Sequence, residues 1–460
     1  MSRWLLAERR GAADAHRVLG LAVLLLGAAC VDTQFADAQF LCDPAAPNEG
    51  CPDGQRCSAD GVCRSDGAGG SATGGSAAGG SGGVGGVGAS GGGGAGGTST
   101  GAGGGDGGSG GEWIPGWASR WKLSFNNLEG AEPLVDFPVP IIVTAHDLGL
   151  LGSADGQDVR FFDAYQDADQ AIPLSHEIEQ TGPNVESVFW VRVPQIDAGS
   201  NGDSIWLYAA NPAPDAPPSP ELVWSNGYRA VWHLNEDQTT PTTHGDSTGH
   251  GNGGQPGGNA RAQDTTAADG LSLAGVQRFV ASEDDKVSVG PTANLQQSYP
   301  SVTIEARVKS STASTQYPHV LGAGDDGQSW QIWGSGGFWN GRGSVMGATD
   351  PIPLSAGCSP SVATDWATLA LVYDGQHALL YCKDGDPGIS SQAQGGPIIG
   401  PGDHPIVFGN NPVLDPDIRR FNGWIDEVRI SDVLRSADWL RAQRAAQNRT
   451  FVSYGDIEHP

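Results

Sequence analysis

The sequence predicts an all-β protein with two consecutive antiparallel β-sandwiches, which follow a small disulfide knot and a glycine-rich linker. Short segments rich in β-branched and aromatic residues recur between positions 121 and 408. Glycine, proline, asparagine or aspartate separates them, and no long helical periodicity intervenes. The pairs Asp374-Gly375 and Asp384-Gly385 have the turn chemistry of β-hairpins beside alternating apolar residues.

Length and composition limit the number of domains and the classes of partner that are expected. A chain of 460 residues is too long for a single core and predicts about two or three domains. Acidic residues outnumber basic ones by 52 to 25, which gives a net charge of -27. Nucleic acids and anionic membrane surfaces require a basic footprint, so neither is expected as a partner. The charge is compatible with secretion into a medium that contains cations.

The N-terminus predicts export. Residues 1–29 contain four arginines followed by an apolar run that is too short to span a bilayer, which is typical of a signal peptide. The end of this run resembles a bacterial lipoprotein signal and predicts lipidation of Cys30. Leu26 lies one position earlier than that motif requires, so cleavage after Ala38 is the alternative. The predicted location is the outer membrane or cell surface, with the lipid as the only membrane contact, or secretion.

Cysteine spacing predicts disulfide bonds in an oxidising compartment. No cysteine group has histidines at zinc-finger spacing, so a zinc finger is not expected. Residues 30–64 form a predicted knot similar to cysteine-rich modules of myxobacterial surface proteins, and the four cysteines that follow Cys30 in it leave three connectivities open. A separate bond is predicted to pin a loop to the C-terminal hairpins. The knot contains Cys42, Cys51, Cys57 and Cys63, and the separate bond joins Cys358 to Cys382.

Residues 65–112 are almost entirely glycine, serine, alanine and threonine. Such a segment cannot bury enough apolar surface to offset its backbone entropy and predicts a flexible coil. We expect this linker to hold the C-terminal domains away from a membrane or cell wall.

The middle domain is predicted over residues 113–211 as an antiparallel sandwich. Trp117-x-x-Arg120-Trp121-Lys122-Leu123, Phe137-Pro138-Val139-Pro140 and Trp190-Val191-Arg192-Val193-Pro194 resemble the bacterial family called domain of unknown function 2341 (DUF). The resemblance implies a fold and an extracellular setting, and it implies no activity. Glu177 and Glu179 share a strand face, so they could act as a carboxylate pair or lie on a solvated face.

A proline-rich spacer is predicted at 212–224, followed by the C-terminal domain at 225–460. Val231-Trp232-His233-Leu234, Asp246-Ser247-Thr248-Gly249 and the segment 366–375 resemble the laminin-G-like (LamG) jellyroll, a concanavalin A-like lectin/glucanase fold. The pattern is completed by Phe421-x-Gly423-x-Ile425-Asp426-Glu427-Val428-Arg429-Ile430. The resemblance implies a glycan-binding or protein-binding domain and, in many relatives, a structural Ca²⁺.

The segment 420–431 has the alternation of a β-strand. It predicts that Asp426, Val428 and Ile430 share one face, with Glu427 and Arg429 on the other. A carboxylate among core residues is costly unless it is paired, hydrogen-bonded or bound to a metal.

We therefore predict that Asp426 joins Asp246 and Asn252, from the first glycine-rich loop, around a structural Ca²⁺. Their oxygens are the ligand type that Ca²⁺ prefers. The alternative is that backbone amides or Arg429 satisfy Asp426.

Glycan binding is predicted at aromatic residues among glycines. Trp333, Trp339 and Asn340 are the candidates, because aromatic faces stack on sugar rings while amides bond hydroxyls. Alternation places Trp330 in the core and Trp333 on the opposite face. The alternative is that these tryptophans pack in the core or against loops.

The predicted function is non-catalytic recognition of an extracellular polysaccharide or a surface protein. The Glu-x-Asp-x-x-Glu strand motif of glucanases is missing, as are a Gly-x-Ser-x-Gly elbow, a Walker loop and a His-Glu-x-x-His motif. Two alternatives remain open: a structural envelope or adhesion protein without a small ligand, and a glycan-degrading enzyme with a non-standard site.

Overall fold

A computed structural model gives the fold of the chain. It describes residues 55–57, 63–65, 111–165, 167–215, 217–236, 243–258, 274–311, 316–324, 330–335, 337–346, 351–358, 366–382, 387–390, 394–411 and 418–460. The predicted signal segment, Cys30, Cys42, Cys51 and most of the linker lie outside these ranges. Within the predicted knot, β1 (Gln55–Cys57) pairs antiparallel with β2 (Cys63–Ser65), and Cys57 lies opposite Cys63 in the register.

The first sandwich begins with strands whose apolar residues face a shared core. In β3, Trp121, Leu123 and Phe125 alternate into that core. Pro138 and Pro140 are tolerated in β4 because β4 is an edge strand of its sheet. The elements of this region are β3 (Ser119–Phe125), β4 (Leu134–Val143), α1 (Ala145–Leu150), β5 (Arg160–Asp163), a 3₁₀ turn (Ala168–Gln170), β6 (His176–Gln180), β7 (Ser187–Ile196), β8 (Ser204–Ala209) and α2 (Pro220–Val223).

The second sandwich is a jellyroll with two seven-stranded sheets. Its strands are β9 (Tyr228–Trp232), β10 (Gly254–Gly257), β11 (Gln277–Phe279), β12 (Lys286–Val289), β13 (Val302–Ser310), β14 (His319–Ala323), β15 (Gln331–Ser335), β16 (Phe338–Met346), β17 (Pro351–Cys358), β18 (Ala367–Tyr373), β19 (Ala378–Tyr381), β20 (Gly388–Ile389), β21 (Ile406–Phe408) and β22 (Gly423–Ser431), with a 3₁₀ turn at Ala281–Glu283. The chain ends with α3 (Ala437–Gln447) and β23 (Val452–Glu458).

Antiparallel pairing holds both sandwiches together. One jellyroll sheet has the order β10-β12-β21-β14-β15-β16-β17, and we call it the outer sheet. The other has the order β11-β22-β13-β18-β19-β20, with β9 paired to β22, and we call it the inner sheet. The first sandwich packs the sheet β23-β3-β8-β5 on the sheet β4-β7-β6. The predicted all-β architecture of two sandwiches is confirmed.

The C-terminal strand departs from the predicted domain boundaries. Residues 452–458, assigned above to the C-terminal domain, pair with β3 of the first sandwich. Tyr454 packs against Trp121 with ring centroids 4.8 Å apart, and Phe451 is buried against Phe125. The chain thus returns to the first sandwich after completing the jellyroll, because the edge of β3 offers unpaired backbone groups that β23 satisfies.

The inner sheet is buried on both of its faces. Leu369 and Leu371 of β18 belong to the jellyroll core, whereas Ala370 and Val372 belong to the core that includes the first sandwich and α3. This double burial explains why β18 is apolar along its length instead of alternating with polar residues. Ser436 caps α3 by accepting a hydrogen bond from the Trp439 amide.

The predicted proline-rich spacer contains ordered, buried residues. Residues 212–224 do not form a simple spacer, because they include α2 and because Val223 and Trp224 are buried.

The predicted Cys358–Cys382 bond is confirmed, with Cα atoms 6.3 Å apart, and it joins the end of β17 to the residue after β19. Among the helices that the structure describes, none is long and apolar enough to cross a membrane.

Removal of residues 451–460 tests the role of β23. We expect the first sandwich to lose more than about 4 kcal/mol of stability, because the deletion removes a buried phenylalanine and an entire strand ladder. Removal of only His459 and Pro460, which follow the strand, is the control and leaves the urea midpoint within error. Equal midpoints for the two truncations would contradict the pairing.

Candidate functional site

A β-bulge in β22 decides where its charged side chains lie. Arg307 of β13 pairs with Asp426 and Glu305 pairs with Arg429, so Glu427 and Val428 together oppose Ala306. Glu427 has a left-handed backbone, with φ of 51°.

The inserted residue shifts the alternation of the strand. Ile425, Val428 and Ile430 all face the jellyroll core. Asp426 is adjacent to Ile425 and so points away from that core. The prediction that Asp426 shares a face with Val428 is therefore wrong, because alternation cannot reveal an inserted residue.

The bulge brings carboxylates to a buried histidine between the two sandwiches. The Nδ1 of His233, which directly follows β9, lies 2.8 Å from Oε1 of Glu427 and 3.8 Å from Oε2 of Glu179. Its Nε2 lies 3.3 Å from Oε2 of Glu177. The two glutamates of β6 come from the first sandwich, whereas His233 and Glu427 come from the jellyroll. We call these four residues the junction cluster.

Neighbouring donors fix the carboxylates of the junction cluster. Trp224 and Ser247 donate to the two oxygens of Glu177, each at 2.6 Å. Trp190 donates to Oε2 of Glu179 at 2.7 Å, and Arg429 pairs with Glu427. These contacts hold the carboxylates in place without solvent.

Aromatic rings enclose the charges of the junction cluster. The guanidinium carbon of Arg429 lies 4.4 Å from the ring centroid of Trp190 and 4.8 Å from that of Trp224. Trp190 also stacks on His233, with centroids 5.7 Å apart and planes 22° from parallel. Such contacts stabilise desolvated cations that water no longer reaches.

Burial and the charges of neighbouring groups shift the pKa values of the junction cluster in different directions. Burial raises the pKa of Glu179 to about 8, with His233 lowering it and Glu427 raising it. Burial alone would lower the pKa of His233, but Glu427, Glu179 and Glu177 hold it well above its ordinary value. Burial disfavours ionised Glu427 as well, yet His233 and Arg429 outweigh this effect and lower its pKa.

Asp426 lies beside the junction cluster without a hydrogen-bond partner. Its side chain is 0% exposed, and neither carboxylate oxygen accepts or donates a hydrogen bond. Burial, Glu427 and Glu179 raise its pKa well above the ordinary value, while Arg307 and His233 act in the opposite direction. An unpartnered buried carboxyl group of this kind is energetically costly.

An acidic cleft of about 400 Å³ borders the junction cluster. Its lining includes Glu177, Glu179 and His233, together with the rim carboxylates of Glu221 and Glu236. No lysine or arginine is among the described residues that line it. The cleft is therefore suited to a cation or a cationic group.

The structure divides the three predicted calcium ligands. Asp246 and Asn252 do come together, with Asn252 Nδ2 donating to Asp246 Oδ2 at 2.7 Å. The Asp246 carboxylate also accepts hydrogen bonds from the Thr248 hydroxyl at 2.7 Å and from the backbone N–H of Val231. Asp426 neighbours the junction cluster instead. Calcium binding by the three residues stays a prediction, and the loop already satisfies Asp246.

The predicted glycan residues lie on opposite faces of the outer sheet. Trp339 is 1% exposed and belongs to the jellyroll core together with Trp330, so the assignment of Trp339 to a glycan surface is wrong. Trp333 and Asn340 are partly exposed and face each other across β15 and β16. The register gives the reason: if Trp333 and its partner Asn340 point outward, the adjacent Trp339 must point inward.

The fold and the site can now be compared with known families. The model of the Concanavalin A-like lectin/glucanases superfamily (Laminin_G_3) matches residues 281–441, and the model of the Domain of unknown function (DUF2341) matches residues 155–240. The chain thus contains a DUF2341 segment followed by a concanavalin A-like domain. The DUF2341 match extends past α2 and β9, so it includes Glu177, Glu179 and His233. No curated protein matches the chain.

Solved structures resemble the chain only distantly. The binding domain of botulinum neurotoxin DC in complex with SialylT is 11% identical, with a TM-score of 0.36. The binding domain of the same toxin in complex with rat synaptotagmin II is 12% identical, with a TM-score of 0.35. Each match covers 48% of this chain and 52% of the other, so the chain spans about half the length of these structures.

Sequence reasoning missed most of the junction cluster. Glu177 and Glu179 are not on a solvated face, because the jellyroll covers that face: the side chains are 9% and 0% exposed. His233 was not predicted as a site residue, although it lies in the Val231-Trp232-His233-Leu234 motif of the jellyroll. Its position as a histidine at the end of a core strand is the sequence feature that could have indicated a buried site.

Replacement of Arg429 by methionine tests the energetics of the junction cluster. We expect a loss of roughly 3–5 kcal/mol in urea unfolding at pH 7, because Glu427 keeps its burial and loses a cation. The matched control is Arg449→Met, which breaks a partly exposed ion pair with Glu186 and costs about 1 kcal/mol or less. Similar losses of stability in both variants would show that the junction cluster contributes no more to stability than a partly exposed ion pair does.

Proposed function

We propose that the protein is a non-catalytic recognition protein that binds an extracellular polysaccharide on the exposed face of the outer sheet. The observation that carries this proposal is the arrangement around Trp333. Arg342 lies with its guanidinium carbon 5.5 Å from the Trp333 ring centroid, and Asn340 is the cross-strand neighbour. An aromatic face beside amide and guanidinium donors is the chemistry that recognises sugar rings and hydroxyls.

The packing of the jellyroll supports the choice of face. The first sandwich and α3 cover the β18 region of the inner sheet, so outward residues such as Ala370 and Val372 are buried there. The outer sheet keeps Trp333, Asn340 and Arg342 partly exposed on neighbouring strands. His319 stacks on Trp333 with planes 17° apart, and its Nδ1 lies 2.8 Å from the Tyr317 carbonyl oxygen. The ring of Trp333 is therefore held in a fixed orientation, which reduces the entropy lost on binding.

The state of the buried acids supports a non-catalytic role. A glycosidase presents two carboxyl groups on either side of the bond that it cleaves. Glu177 and Glu179 are instead bound by indole N–H groups and lie against His233. Their contacts serve the junction between the sandwiches.

The proposed location is the cell surface after export. The Cys358–Cys382 bond supports an oxidising compartment, and the N-terminal apolar run followed by Cys30 supports a lipid anchor at the outer membrane. A surface protein is the second class of partner, since the fold family includes protein-binding as well as glycan-binding domains.

A glycan array with the full chain tests this proposal. We expect Trp333→Ala to lower the affinity for the bound polysaccharide at least tenfold, because stacking on the ring is lost. Trp424→Ala, which changes a partly exposed tryptophan of the inner sheet, is the matched control and keeps wild-type binding.

The alternative functions predict different results in these binding and activity measurements. An array without any bound glycan, or binding that survives Trp333→Ala, would overturn the proposed site and favour a structural or protein-binding role. Release of reducing sugar from a bound polysaccharide would overturn the non-catalytic assignment.

A further inference from the structure

We propose that Glu179, His233 and Glu427 bind a divalent transition-metal ion at the junction of the two sandwiches, beside the buried carboxyl group of Asp426. One ligand atom from each of the first three residues lies within 4.8 Å of the others. The ligands come from β6, from the end of β9 and from the bulge of β22, so an ion there would connect the first sandwich to the jellyroll. This site is separate from the glycan face and does not depend on it.

The orientation of His233 fits a metal ligand. Its Nδ1 points to Glu427 and Glu179, where the ion would lie, while its Nε2 is 3.3 Å from Glu177. A histidine that binds a metal through one nitrogen donates the other N–H to a carboxylate in many sites, which fixes the ring. Glu177 is itself held by Trp224 and so can serve as that carboxylate.

Neighbouring side chains also orient the two carboxylate ligands, Glu179 and Glu427. Trp190 donates to Glu179, and Arg429 pairs with Glu427. Each carboxylate has two oxygens with several lone pairs, so one orienting hydrogen bond leaves capacity for an ion. Metal sites generally orient their ligands through such outer contacts.

Asp426 gives independent support for an ion. It is fully buried, both of its oxygens lack a hydrogen-bond partner, and its electrostatic neighbours include Glu427, Glu179 and His233. A buried carboxylate without a partner needs a cation or a proton to offset its desolvation. A divalent ion bound by Glu179, His233 and Glu427 would supply that positive charge beside Asp426.

The donor set favours a transition metal over calcium. One imidazole nitrogen with several carboxylate oxygens suits Zn²⁺ or Mn²⁺, whereas Ca²⁺ prefers sites made of oxygen alone. Binding would release the proton on Nδ1 of His233, so the ion would take the place of the imidazolium charge. The acidic cleft beside Glu179 and His233 offers an entry path.

Metal titration of the untagged full chain, with its disulfides oxidised and metals removed by EDTA, tests the inference. We expect one equivalent of Zn²⁺ or Mn²⁺ to remain after dialysis and saturating ion to raise the Tm by roughly 5 °C or more. Equimolar Mg²⁺, which prefers oxygen ligands and keeps several of its waters, serves as the control ion and leaves the Tm within about 1 °C.

Three variants separate this site from binding elsewhere on an acidic protein. Asp426→Asn is expected to weaken binding at least tenfold while its Tm in EDTA stays equal to or above that of wild type, since an unpartnered buried carboxyl is removed. Glu236→Gln, at the cleft rim, makes the same chemical change and keeps wild-type affinity. The inference is overturned if wild type retains no ion and shows no Tm shift. It is equally overturned if Asp426→Asn and His233→Gln bind the ion as wild type does.

Discussion

The carboxylate of Glu427 lies between the imidazole of His233 and the guanidinium of Arg429 inside the jellyroll. It holds His233 in position to contact Glu177 of the first sandwich, so the junction of the two sandwiches depends on it. Both neighbours are buried and cationic, so neither could be desolvated without the carboxylate. The contact exists because Glu427 occupies a bulge with a positive φ, which turns the charged residues of β22 away from the jellyroll core. Replacing one partner alone leaves an uncompensated charge in the interior.

The junction explains the distribution of polarity over the jellyroll. The inner sheet faces the first sandwich, and its outward positions are apolar in β18 or belong to the buried ion network in β22. The outer sheet keeps its polar and aromatic residues accessible. The proposed recognition surface and the junction thus lie on opposite sheets of one fold, and β23, which follows the jellyroll in the sequence, completes the first sandwich.

Local patterns in the sequence predicted the β-strands of the two sandwiches and the core position of Trp330, because short-range alternation and turn chemistry are determined by neighbouring residues. The jellyroll was predicted from the resemblance of its motifs to the LamG family, and the Cys358–Cys382 bond from the grouping of the cysteines. The bulge at Glu427, the inward direction of Trp339 and the burial of Glu177 and Glu179 depend on register and on contacts between distant segments. Local sequence patterns do not determine which strands lie next to each other or in which register they pair. These features could therefore be identified only from the structure.

We expect the junction cluster and β23 to make the two sandwiches one cooperative unit. Differential scanning calorimetry of the full chain tests this cooperativity most directly. We predict a single transition for the two sandwiches, with equal calorimetric and van't Hoff enthalpies. Two resolved transitions, one for each sandwich, would contradict it.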